Sequence, residues 1–101
     1  MQIEELKRKV QPLCERQKVR RLDLFGSRAR ADGSEASDFD FVAEFEAVDP
    51  EKLGRYYFNL LHELEDTLHK PVDLLTYDAV AKPRLRRNIE ADRVNLYART
   101  D

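Results

Sequence analysis

The sequence predicts an α+β chain whose elements run in the order α-β-α-β-α-β-α. Apolar residues recur at spacings of three and four within residues 2–17, 49–70 and 83–98, the period of a helix with one buried face. Short apolar runs at residues 19–25, 38–45 and 71–76 have the length of strands. A Gly-Ser pair at Gly26-Ser27 breaks the first of these runs and starts a short helix, with Ser27 placed as its N-cap.

Size and charge narrow the function. A chain of 101 residues is read as one domain, residues 1–101, with enough core for one site and no second substrate domain. Charged residues make up 38% of it, yet the net charge is only −2, so no global attraction to nucleic acid is expected. The single cysteine, Cys14, excludes an internal disulfide and fits a reducing compartment. The first ten residues hold no continuous apolar run, and no stretch is long enough to span a bilayer. A soluble, cytoplasmic protein is expected.

In residues 2–17, Ile3, Leu6, Val10 and Leu13 form one apolar stripe among charged neighbours. Pro12 lies inside it and predicts a kink or an early break. Residues 19–25, VRRLDLF, place Leu22 and Leu24 on one face of a strand. The small, polar residues 32–37 read as a loop. Residues 38–45, DFDFVAEF, form the next strand. Asp49-Pro50 has the form of a helix start, Asp at the N-cap and Pro at the first helical position. Leu53, Tyr57, Leu60, Leu61, Leu64 and Leu68 then supply an apolar stripe. His62 and His69 are seven residues apart with no cysteine or acid to complete a zinc set, and read as surface groups. Residues 71–76, PVDLLT, form a third strand whose only charge is Asp73. A closing helix is expected over 83–98, with Leu85, Ile89 and Leu96 inward. Lys82, Arg84, Arg86 and Arg87 form a basic cluster at its start.

The chemistry concentrates in residues 26–41, GSRARADGSEASDFDF. Alternation along a strand points Asp38 and Asp40 the same way, about 7 Å apart. Two like charges beside Phe39, Phe41 and Val42 are costly without a cation between them. A hard divalent ion such as Mg²⁺, held by carboxylates and substrate phosphates, answers that need. A Gly-Ser turn offers N–H groups and a hydroxyl to phosphate. Neither a Walker-type phosphate loop nor a G-x-S-x-G elbow is present.

This constellation resembles the minimal nucleotidyltransferases of the nucleotidyltransferase superfamily. Their pattern is G-S-x-A-R-G, a variable loop, then S-D-x-D and an apolar residue. Gly26, Ser27, Ala29, Arg30, Ser37, Asp38 and Asp40 match it, and Ala31 replaces the last glycine of the first motif. The family carries a third carboxylate in a V-D-apolar-apolar strand, which Asp73 matches. The resemblance implies a small mixed β-sheet with helices mainly on one face. It assigns Asp38, Asp40 and Asp73 as catalytic, metal-holding residues for two Mg²⁺ ions. Gly26, Ser27 and Arg30 become the nucleotide-binding residues for ATP.

It also implies a partner. Minimal nucleotidyltransferases resembling this chain are often encoded beside a helical HEPN-type toxin, act as its antitoxin and adenylylate one of its tyrosines. A chain with no acceptor domain of its own fits that arrangement. A homo-oligomer or a complex with the toxin is compatible with it. Two other readings stand beside it: a non-catalytic module that silences its partner by occlusion, and a small-molecule nucleotidyltransferase of the aminoglycoside-modifying kind.

Overall fold

A computed structural model describes residues 2–26, 38–77 and 93–99. They form α1 (Ile3–Arg16), β1 (Val19–Phe25), β2 (Phe39–Phe45), α2 (Pro50–Leu68), β3 (Val72–Thr76) and β4 (Val94–Ala98). The expected helix after Ser27, the loop at 32–37 and the basic cluster at Lys82–Arg87 lie outside the described residues.

The strands make one sheet in the order β3-β2-β1-β4. β1 pairs antiparallel with β2 and with β4, while β2 and β3 run parallel. The sheet is therefore mixed, as expected. The parallel pair is joined through α2, the kind of crossover that parallel neighbours require.

Both helices lie on one face. Leu6, Val10, Leu13 and Cys14 of α1 and Leu60, Leu64 and Leu68 of α2 share a single core with the sheet. The strands send Leu22, Leu24, Phe39, Phe41, Val72, Leu74 and Leu96 into it. Each of these sits at an alternate position of its strand; Val42 and Asp23, on the other face, are fully buried as well. Glu63 of α2 accepts hydrogen bonds from Arg16 and Gln17 at the end of α1, tying the helices together.

Two sequence expectations are corrected. α1 does not break at Pro12; it runs one further turn to Arg16. Burial of Val10, Leu13 and Cys14 around that point outweighs the lost Pro12 N–H bond, a defect of about 3 kcal/mol. The second correction concerns the chain's end. Residues 94–98, read as the last part of a helix, form β4. Leu96 is buried in the core and β4 is held by antiparallel pairing with β1, a long-range contact that the helical seven-residue spacing of Ile89 and Leu96 does not reveal.

The start of α2 matches in position and differs in detail. Pro50 opens the helix after Asp49. The Asp49 side chain makes no capping bond; its carbonyl accepts from Lys52 and Leu53 at 2.9 and 3.0 Å.

Candidate functional site

The sheet face opposite to α1 and α2 carries Asp40 and Asp73, together with an apolar cluster of Val42, Phe25, Leu75 and Tyr77. Asp40 of β2 and Asp73 of β3 are directly opposite in the parallel register. On the other side of β2, Asp40 pairs with Phe25, the last residue of β1. Asp38 precedes β2 at the same edge. The end of β1 and the beginnings of β2 and β3 thus meet, and the three predicted aspartates fall together.

Gly26 closes β1 with φ +78°, in the left-handed region where a side chain is disfavoured. A Cβ built on it would lie 2.5 Å from Asp40 Oδ2. The backbone turn therefore sits against the carboxylate with no room for a methyl between them. Ser27 and Arg30, the other predicted nucleotide-binding residues, lie outside the described residues.

Asp40 is half-buried, whereas Asp38 and Asp73 are exposed. Burial pushes the Asp40 carboxyl above the ordinary carboxylate value. The Asp73 charge, a hydrogen bond to Asp73 and the Asp38 charge add to the shift in that order. Two carboxylates this close share a proton or recruit a cation. Hard divalent ions take one or two carboxylates plus phosphate oxygens, and the Asp40–Asp73 pair is a donor set of that kind. Among the described residues no three His, Cys, Asp or Glu side chains gather as a metal cage. Among the described residues the carboxylates here are the Asp40–Asp73 pair with Asp38 nearby.

The sequence reading missed Asp23. It is fully buried on β1, on the face opposite to α1 and α2, and surrounded by polar partners. Tyr77 donates its phenol hydrogen to it, and Asn95 Nδ2 donates at 2.9 Å. Arg21 and Arg93 guanidinium groups stand 3.2 and 3.6 Å away. The available signal was an acid whose alternate neighbours, Leu22 and Leu24, both face the core.

The remaining candidates are structural or surface groups. Cys14 is buried, and that burial pushes its thiol up to about 12, with a smaller contribution from Glu15. His62 and His69 are exposed; His69 has φ +56° and caps α2. Tyr57 packs against the core and donates to the Leu74 carbonyl at 2.5 Å, while Phe58 is exposed. A hollow of about 310 Å³ lined by Phe45, Val48, Leu53 and Tyr77 lies at the other ends of β2 and β3, and none of the predicted site residues lines it.

Comparison with known proteins bears on this arrangement. Residues 8–101 match the family model described as polymerase beta, nucleotidyltransferase. MJ0435 of Methanocaldococcus jannaschii, provisionally named a protein adenylyltransferase, is 36% identical over 99 residues, covering 95% of this chain and 99% of its own. MJ1379 of the same organism, named in the same way, is 34% identical over 92 residues, with 90% and 91% covered. Among solved structures, one provisionally assigned as a minimal nucleotidyltransferase is 31% identical at a TM-score of 0.66, covering 93% of this chain and 95% of that one. The fold is also shared with a chain of a toxin–antitoxin structure with AMP-PNP, at TM-score 0.71 and 21% identity, covering 93% and 74%. A complex of tri-AMPylated Shewanella oneidensis HEPN toxin with an MNT antitoxin aligns at TM-score 0.67 and 19% identity, covering 97% and 74%.

Proposed function

Because the chain belongs to the polymerase beta nucleotidyltransferase family, we propose that it is a Mg²⁺-dependent protein adenylyltransferase that transfers AMP from ATP to a hydroxyl of a partner protein. The observation that carries this reading is the Asp40–Asp73 pair, in register on adjacent strands with Gly26 against it. The names of MJ0435 and MJ1379 support protein as the acceptor.

The transfer forms a bond between the acceptor oxygen and the α-phosphorus, breaks the bond from that phosphorus to the bridging oxygen, and releases pyrophosphate. Divalent ions held by Asp38, Asp40 and Asp73 would supply charge neutralisation at the α-phosphate and at the entering and leaving oxygens. Asp73, which is exposed, would help take the proton of the acceptor hydroxyl. Gly26 lets backbone approach the phosphates where any side chain would collide with Asp40. By the motif, Gly26 and Ser27 would hold the β- and γ-phosphates and Arg30 would neutralise the triphosphate.

The acceptor we assign is a tyrosine of an HEPN-type toxin, with this chain as the antitoxin. Support comes from the fold shared with chains of toxin–antitoxin structures, one holding AMP-PNP and one a tri-AMPylated HEPN toxin. ATP as substrate agrees with a cytoplasmic setting. Among the described residues no helix is long and apolar enough to cross a membrane.

The test is the intact mass of the neighbouring gene's product after incubation with this protein, ATP and Mg²⁺. A gain of one or more AMP units is expected, and none with Asp38→Asn/Asp40→Asn. A stable complex with both forms and no mass gain would replace adenylylation by occlusion. Pyrophosphate release with a hydroxylated small molecule alone would point to a small-molecule acceptor.

A further inference from the structure

The sheet face opposite to α1 and α2 carries a second polar assembly at the end of β3 opposite to Asp73. Tyr77 follows β3, donates its N–H to the Ala43 carbonyl at 3.2 Å, and reaches across β2 to Asp23 on β1. Val42, between them on β2, is fully buried and packs with Tyr77, Phe25 and Leu75. Arg21 places its guanidinium carbon 5.9 Å from the centre of the Tyr77 ring. Arg93 donates to the Tyr77 hydroxyl at 3.1 Å. Thus a side chain from the edge strand spans its neighbour and is anchored in the strand beyond.

β3 needs such an anchor. It has five residues and lies at the edge of the sheet order, so among the described strands it pairs only with β2. Its Asp73 faces Asp40 directly, and like charges opposite one another weaken strand pairing. A slip of one residue would carry Asp73 to the helix-covered face and dismantle the pair. Asp23 is a fully buried carboxylate, which is tolerable only with partners. Its partners come from β1, from β4, and from Tyr77 and Arg93 flanking them.

We propose that Tyr77 and Asp23 are positioning residues, a strap that holds β3 in register so that Asp73 stays beside Asp40. The proposal rests on the reading of that pair as the cation site. It assigns no chemical step to Tyr77 or Asp23; both act through the placement of Asp73.

Tyr77→Phe is the decisive variant. It keeps the ring over Val42 and leaves Asp23 with Arg21, Arg93 and Asn95, so no buried charge is abandoned. Mn²⁺ binding is measured by the loss of the free-ion electron paramagnetic resonance signal, and amide exchange in β3 is followed in metal-free protein. The expected result is Mn²⁺ affinity weaker by roughly three- to tenfold, and faster exchange at residues 73–75 with β1 unchanged. Excess Mn²⁺ should restore the wild-type turnover. Unchanged Mn²⁺ affinity together with unchanged β3 exchange overturns the strap. If wild-type protein binds no Mn²⁺, the cation-site reading fails, while the exchange arm still decides whether Tyr77 holds β3.

Discussion

Gly26 and Asp40 are in such close approach that a single methyl group on Gly26 would come within 2.5 Å of the Asp40 carboxylate. The two residues lie at the meeting of β1 and β2, whose register places Phe25 opposite Asp40. Backbone turn and carboxylate therefore occupy one geometry that no larger residue can share. The sequence motif names both residues; the structure shows why one of them has to be glycine.

Gly26→Ala should consequently damage the site more than the fold. The left-handed backbone, φ +78°, costs an alanine about 1–2 kcal/mol. Relief of the contact requires the Asp40 side chain to turn away from its position next to Asp73. Urea unfolding should show a loss of about that size. The rate of AMP transfer at saturating ATP and Mg²⁺ should fall by at least about tenfold, as misplacement of a reacting group does. Wild-type transfer by Gly26→Ala would refute the role given to this contact.

Asp40→Asn should separate stability from activity. The Asp40 carboxyl is raised by burial first and then by Asp73 and Asp38, so the folded chain binds that proton more tightly than the unfolded chain does. Its favourable contribution is present below the ordinary carboxylate value and is lost as pH rises through the raised one. At neutral pH the metal-free wild type carries a repelled charge that asparagine lacks. The variant's Tm should exceed the wild type's at pH 7, and the difference should shrink as pH falls to the carboxylate range. Added Mg²⁺ should raise the wild-type Tm and leave the variant nearly unmoved, while AMP transfer by the variant is abolished.

How far the sequence reached is clearest along β2. Phe39, Phe41 and Ala43 face the helix-covered core and Asp38 and Asp40 face the other way because side chains alternate along a strand, and that pattern can be read from letters alone. The parallel pairing that brings Asp73 to Asp40 cannot be. It depends on the crossover through α2, and came with the family resemblance. Asp23 escaped because its importance is set by residues 54 and 72 positions later, Tyr77 and Asn95. β4 escaped because five residues offer few periods by which to tell two from 3.6. Pro12 misled because local propensity counts for less than the apolar face that α1 buries.

Cys14 should behave as a core residue and a reporter of unfolding. Its thiol is buried and held up at about 12, so thiolate is scarce at neutral pH. Native protein should resist a disulfide reagent at pH 8 on a timescale at which urea-unfolded protein is labelled completely. The labelling rate should track global opening and slow when a ligand stabilises the fold. Rapid labelling of native protein would contradict the burial.

Phe41→Ala should be the most damaging single change to the fold. Phe41 is fully buried on the central part of β2, and its ring lies parallel to that of Phe39 with centroids 5.8 Å apart. It belongs to one continuous core that draws on α1, α2 and all four strands of the sheet, so the space it leaves is not expected to collapse by moving one side chain. Truncations of this kind cost about 3–5 kcal/mol, against a total of about 5–15 kcal/mol for an ordinary domain. Chemical denaturation should show a loss in that range or a protein unfolded at 37 °C. Phe41→Leu, which keeps most of the volume, should cost about 1–2 kcal/mol and retain AMP transfer, because Phe41 and Asp40 point to opposite faces of β2. Transfer lost in Phe41→Leu at full occupancy of the folded state would mean that the core face sets the position of Asp40 more tightly than strand register alone.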